Sequence, residues 1–270
     1  MSAIERDSPA LDAYVAGIGL IGPGLPDWAS AAPVLAGTAP YRPAPTVVPI
    51  PETLPSAERR RTGTTVRLAM AAAAQAVRGA ALDPGGLLSV FSSSGGDGQI
   101  CHEICQTLAS AERQISPTRF HNSVHNAAAG YWSIATGATA ASTVLCAYDA
   151  SFGAGLLEAL ALVRASRAPV LLSAYETSYP EPLRGKRPLL DSFAVALVLS
   201  PSRAAATLGH LRLTLTEETP GTLADPELER LRAAVPSARS LPLMRRLARG
   251  EAGRVVLDYL DAQRIALEVA

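Results

Sequence analysis

Residues 116–164 read SPTRFHNSVHNAAAGYWSIATGATAASTVLCAYDASFGAGLLEALALVR, and this stretch decides the fold class. A polar segment carrying His121 and His125 runs into a small-residue helix. The apolar run 141–147 follows as a strand. A turn then holds Tyr148, Asp149 and Ser151, and an almost wholly apolar helix spans 153–164. A strand that ends in polar residues and turns into a buried helix is where α/β enzymes place their nucleophiles. The turn has that form, yet the expected nucleophile is missing.

Working outward, other apolar runs repeat the pattern. Residues 14–20 (YVAGIGL) predict a first strand, ended by Gly22-Pro23-Gly24. Residues 28–35 predict a short helix. Residues 37–55 hold six prolines and predict an extended loop. One helix is expected to open at Ser56 as N-cap and to bury Val66, Met70, Ala73 and Val77. Residues 87–91 predict a strand, followed by the turn SSSGGDG (92–98) and a helix from Gln99 to Arg113. The runs 141–147, 169–174 and 193–199 lack alternation, as in strands buried on both faces. Residues 210–216 (HLRLTLT) alternate and predict a half-exposed or edge strand. Two helices (225–234 and 241–250) and a hairpin (254–260 with 264–269) close the chain. One α/β domain with helices on both faces accounts for this order.

Composition narrows the function classes. The 270 residues are 48% hydrophobic and 18% charged, with zero formal net charge. A core of some size is possible, and the balanced charge speaks against a nucleic-acid or membrane-surface binder. The three cysteines and the absence of an apolar leader or a long apolar span predict a cytoplasmic protein without membrane insertion. Cys101 and Cys105 are expected to be buried on their helix, and Cys146 to be inert core.

The candidate chemistry is sparse. HNSVH has the histidine spacing of a zincin, but Asn122 stands where the glutamate base belongs, so no metal site and no cofactor are expected. SSSGGDG could cradle a phosphate or be a tight βα turn; it lacks GxxxxGK and GxGxxG. Ser151, His125 and Asp149 could be imagined as a hydrolytic triad, although the turn is not GxSxG. Asp149 could equally cap the helix that follows.

The residues resemble the ketoacyl synthases of fatty-acid and polyketide assembly. VAGIGLIGPG is similar to their first strand and turn, VFSSSGGDG to the second strand and glycine turn, and NAAAGYWSIATG to the helix at their dimer interface. VLLSAYE is similar to the strand ending in their glycine-glycine-glutamate. ERRR, GDG and SPTRFHNSVHNAAAGYWSIATG resemble the chain-length-factor-like branch of aryl polyene and related pathways. The resemblance implies a thiolase-like half: three layers, α/β/α, around a mostly buried mixed five-stranded sheet. Residues 14–200 would be the family-like core and 201–270 a divergent tail.

It also implies an activity that the residues depart from. The nucleophilic cysteine of the family falls at or next to Asp149, and about 70 residues after Ser200 leave no room for the half that carries the catalytic histidines. A carboxylate does not readily form the required thioester. The expectation is a catalytically degenerate partner that forms a heterodimer with a complete ketoacyl synthase, shapes the acyl-chain tunnel, and can meet an acyl carrier protein. Asn122, Asn126, Tyr131, Trp132, Tyr148, Ser151 and Phe152 are the candidate tunnel or interface residues, with plain core or interface packing as the alternative. Asp149, His125 and His121 are the candidates for residual catalysis. The alternative function is a stand-alone acyl-thioester hydrolase or decarboxylase using His125, Asp149 or Ser151. A homodimer with a structural role is a third reading.

Overall fold

The computed structural model of the chain describes residues 11–270. Strand β1 (Leu11–Ile21) is followed by helices α1 (Trp28–Ala36), α2 (Ser56–Arg61) and α3 (Thr64–Ala80), then β2 (Leu88–Ser92). Next come α4 (Gly98–Ala109), α5 (Pro117–Asn122), α6 (Ala127–Thr136), β3 (Ser142–Leu145), α7 (Ser151–Ser166) and β4 (Val170–Glu176). The chain continues through α8 (Leu183–Lys186), β5 (Phe193–Ser200), β6 (Gly209–Thr216), α9 (Pro226–Ala234), α10 (Leu241–Arg249), β7 (Gly253–Leu257) and β8 (Arg264–Val269).

The described residues form one eight-stranded sheet in the order β3-β2-β4-β5-β1-β6-β8-β7. The expected five strands are its first part, β3 to β1: β2 runs parallel to β3 and β4, and β5 runs antiparallel to β4 and β1. The count of five is corrected because residues 209–269 extend this sheet. Strand β6 pairs with β1 through Leu11↔Leu213, and β8 pairs with β6 and β7. Strand β6 is therefore interior, not an edge. Its alternation survives because Leu211 and Leu213 face the core, while Leu215 is exposed.

Two cores flank the sheet. On one side α3 and α6 cover Phe91, Leu171, Tyr175 and Ala196. On the other, Phe152, Leu156 and Leu160 of α7 pack with Val90, Leu172 and Leu197, and with Leu231 of α9 and Met244 of α10. Helix α3 lies unusually close to β1. A Cβ on Gly19 would stand 2.0 Å from the Ala72 carbonyl oxygen, and one on Gly17 2.1 Å from that of Ala76. The glycines of YVAGIGL thus permit backbone-to-backbone packing that a side chain would forbid.

Several local expectations are revised. The helix foreseen from Ser56 is two helices. Thr62 is extended at ψ 129°, and Gly63 holds the N-cap position of α3, where a Cβ would meet Asp97 Oδ2 at 2.5 Å. Pro55, not Ser56, holds the cap position, and no side chain caps α2. Helix α4 ends at Ala109 because Ser110 is extended. Strand β3 is shorter than 141–147 and is one of the two edge strands, so it is half-exposed rather than buried on both faces.

Candidate functional site

The C-terminal ends of the parallel strands β2, β3 and β4 converge on one polar cluster, the usual place for a site in such a sheet. Three turns leave these ends: 93–97 after β2, 146–150 after β3, and 177–182 after β4. Glu176, the last residue of β4, is only 2% exposed. Its Oε1 accepts the Ser94 backbone N–H at 2.5 Å, and its Oε2 lies 2.8 Å from Ser94 Oγ. Burial pushes the Glu176 carboxyl up from 4.5 to about 7, against the opposing pull of the Ser94 hydrogen bonds and of Arg187. The SSSGGDG turn is therefore a tight βα turn clasped by a buried carboxyl. Tyr179 packs against it so closely that a Cβ on Gly98 would lie 2.1 Å from the ring.

Asp149 sits in the 3-10 turn Tyr148–Ala150, directly before α7. It does not cap α7, whose cap is Ala150 without a side-chain bond. Two arginines hold its carboxylate instead. Arg187 Nη2 donates to Oδ1 at 2.6 Å, and Arg239 Nη2 to Oδ2 at 3.2 Å. Arg239 Nη1 also donates to the Asp149 carbonyl at 3.0 Å. The Arg187 guanidinium carbon lies 3.8 Å from the centroid of the Tyr148 ring.

The imagined triad is not assembled by hydrogen bonds. Ser151 is buried; its hydroxyl donates to the Tyr148 carbonyl at 2.7 Å and accepts the Ala147 N–H at 3.1 Å. His125 Nε2 lies 3.3 Å from the Ser93 carbonyl oxygen, and His121 is exposed on α5. Each group is spent on a different backbone or side-chain partner.

The remaining candidates divide by burial. Tyr131, Trp132, Phe152 and Asn122 are buried. Tyr131 donates its phenol to Asn122 Oδ1 at 3.0 Å, and Asn122 Nδ2 donates to the Arg61 carbonyl at 2.7 Å. Asn122 also lines a polar cavity of about 420 Å³ together with Thr65, Asp97 and Thr177. Asn126 and Tyr148 are exposed. The cysteines correct the expectation of burial: Cys101 and Cys105 are exposed on α4, and Cys146 is exposed beyond the end of β3, its Sγ 3.2 Å from the Ser94 carbonyl oxygen. Helix α4 buries only Gly98 and Ile100, and Cys146 lies past an edge strand. Ser94, Tyr179, Arg187 and Arg239 belong to the cluster without having been singled out in the sequence. The two arginines lie 38 and 90 residues from Asp149, with no local motif to mark them.

Fold and cluster together define an α/β protein of thiolase-like architecture with a polar elbow at the strand ends. Residues 30–255 match the family model described as beta-ketoacyl synthase, N-terminal domain, and the chain belongs to that family. No curated protein matches the sequence. Among solved structures, the chain is similar to one from Xenorhabdus doucetiae, the ketosynthase ApeO in complex with its chain length factor ApeC. The match has 26% identity and a TM-score of 0.72, and covers 94% of this chain and 98% of that one. It shares its fold with the ishigamide ketosynthase/chain length factor, at 14% identity, TM-score 0.70, and 96% and 98% coverage. A beta-ketoacyl synthase from Burkholderia phymatum STM815 matches at 14% identity and TM-score 0.59, over 85% of this chain but 70% of its own length. Among the described residues no helix is long and apolar enough to cross a membrane.

Proposed function

We propose that this chain is a chain length factor: a catalytically degenerate ketoacyl synthase that pairs with a complete ketosynthase subunit and bounds the tunnel into which an acyl chain grows. The observation that carries the reading is Asp149. It occupies the elbow that the resemblance assigns to the nucleophile, and both its carboxylate oxygens are committed to Arg187 and Arg239. A carboxylate so neutralised is a poor nucleophile and forms no stable thioester. The end-to-end match to a chain of a ketosynthase and chain length factor complex supports the same reading.

The docking face in this proposal is the β3 edge of the sheet. Strand β3 has β2 on one side and no strand on the other among the described residues, and it is half-exposed. Exposed Phe120, Val124 and Ile134 lie in the α5–α6 segment that precedes it. Open edges of this kind are commonly closed by another chain. The pathway is proposed to be of the aryl polyene or related polyketide class, with an acyl carrier protein delivering the substrate to the pair. Residues 1–270 are proposed to act as one ketoacyl synthase N-terminal-like domain, its tail standing where a second half would otherwise pack. Hydrolysis by Ser151, His125 and Asp149 is disfavoured, since their hydrogen bonds lead to separate partners.

Co-expression with the ketosynthase encoded beside it, followed by size exclusion with mass determination, tests the proposal. A one-to-one complex is expected. A lone homodimer, or turnover of an acyl thioester by the isolated chain, would overturn it.

A further inference from the structure

The elbow holds an aromatic ring that contributes little to the core. Tyr148 is 61% exposed, and its φ is 50°, a left-handed conformation that residues with a Cβ rarely adopt. Such outliers persist only where the surroundings impose them. Here the surroundings do so twice. The Ser151 hydroxyl bonds the Tyr148 carbonyl and the Ala147 N–H, which fixes the backbone. Arg187 stacks on the ring, Asp149 holds Arg187, and Arg239 holds Asp149. Arg239 is carried by the turn Pro236–Ser240, which is tied to β5 through Ser237 Oγ and the Phe193 carbonyl at 2.9 Å. A continuous series of contacts therefore runs from the core sheet to the face of an exposed tyrosine.

The position of that tyrosine suggests its occupant. Tyr148 follows β3 by three residues, at the end of the open sheet edge. A tunnel wall would be enclosed, whereas this ring projects. A rigid aromatic with an apolar body and a polar tip loses little freedom on docking and is the usual kind of interface anchor. We infer that Tyr148 is a preorganised anchor that inserts into the ketosynthase subunit alongside the β3 edge, and that Asp149 is a positioning residue that holds it through Arg187. The inference rests on the partner reading above, and it gives the residue at the lost nucleophile position a task of its own.

The test measures binding of the purified ketosynthase subunit to the wild type, Tyr148→Phe, Tyr148→Ala, Asp149→Asn, Arg187→Gln and the double variant Tyr148→Ala/Asp149→Asn. Thermal unfolding of each variant serves as the folding control. Tyr148→Ala is expected to weaken binding at least ~10-fold and Tyr148→Phe less than about threefold, as for a central aromatic anchor. Asp149→Asn and Arg187→Gln are expected to weaken it several-fold. The double variant should be no weaker than Tyr148→Ala, since Asp149 acts only through the ring. Binding by Tyr148→Ala within about twofold of wild type overturns the anchor while leaving the partner reading intact. Unchanged binding with an altered product length also overturns it, by making Tyr148 a tunnel wall. Failure of the wild type to bind any ketosynthase removes both readings. In the free protein, mobility of the Tyr148 ring by NMR relaxation should rise in Arg187→Gln, and unchanged ring mobility refutes the positioning role.

Discussion

Glu176→Gln probes the clasp at the centre of the cluster. Glu176 is buried at the end of β4, and burial raises its carboxyl from 4.5 to about 7. The folded protein therefore keeps this proton across a range in which the unfolded chain has released it. The stabilisation is fully present below pH 4.5, falls as the pH rises from there, and is gone above about 7. A rise of that size amounts to about 3 kcal/mol, at ~1.4 kcal/mol for each tenfold change in proton affinity. Glutamine is neutral in both states and keeps an oxygen for the Ser94 N–H, so it carries no such slope. Urea unfolding of wild type and variant at pH 4.5 and pH 8 isolates the effect, because all other titrating groups cancel in the difference. The variant should gain about 3 kcal/mol on the wild type between the two values. Parallel stability curves would refute the reasoning, and would mean that Glu176 is ionised in the fold with Ser94 and Arg187 outweighing burial.

Three further outcomes follow from packing and charge. Asp149→Ala leaves two mostly buried guanidiniums without their shared carboxylate and should cost about 2 kcal/mol, between the values for exposed and buried pairs. Urea unfolding reads this, and a loss under about 0.5 kcal/mol would mean that solvent replaces the pair. Phe152→Ala empties a site at the start of α7 that is fully enclosed, with an expected loss of about 3–5 kcal/mol by the same measurement. A loss under about 1 kcal/mol would show that α7 can collapse onto the sheet. Gly19→Ala puts a methyl 2.0 Å from the Ala72 carbonyl oxygen, so α3 must lift from β1; a loss of about 3 kcal/mol or insoluble protein is expected, and an unchanged melting temperature would refute that close approach.

The core strands were legible because burial on both faces suppresses alternation. The runs 169–174 and 193–199 became β4 and β5, displaced by no more than two residues at either end and each buried throughout. The same rule misled at the run 141–147. Its apolar composition looks like a central strand, but β3 is the last strand of the sheet and stays half-exposed. Composition reports what a segment could bury, not whether a neighbour is present to bury it. Residues 209–269 show the converse. Their strands were visible one by one, yet pairing β6 with β1 joins positions about two hundred residues apart, such as Leu213 and Leu11. No local periodicity encodes that register, so five strands became eight.

The cluster was hidden for the same reason. The turn holding Asp149 was readable as an elbow because β3, the turn and α7 are consecutive. Its partners were not: Arg187 comes from the loop after β4, and Arg239 from the turn before α10. A residue that stays neutral at this position would leave both guanidiniums, now mostly buried, without their counter-charge. Asp149 and the two arginines form one unit, so a change of charge at any one of them alters the balance of the other two.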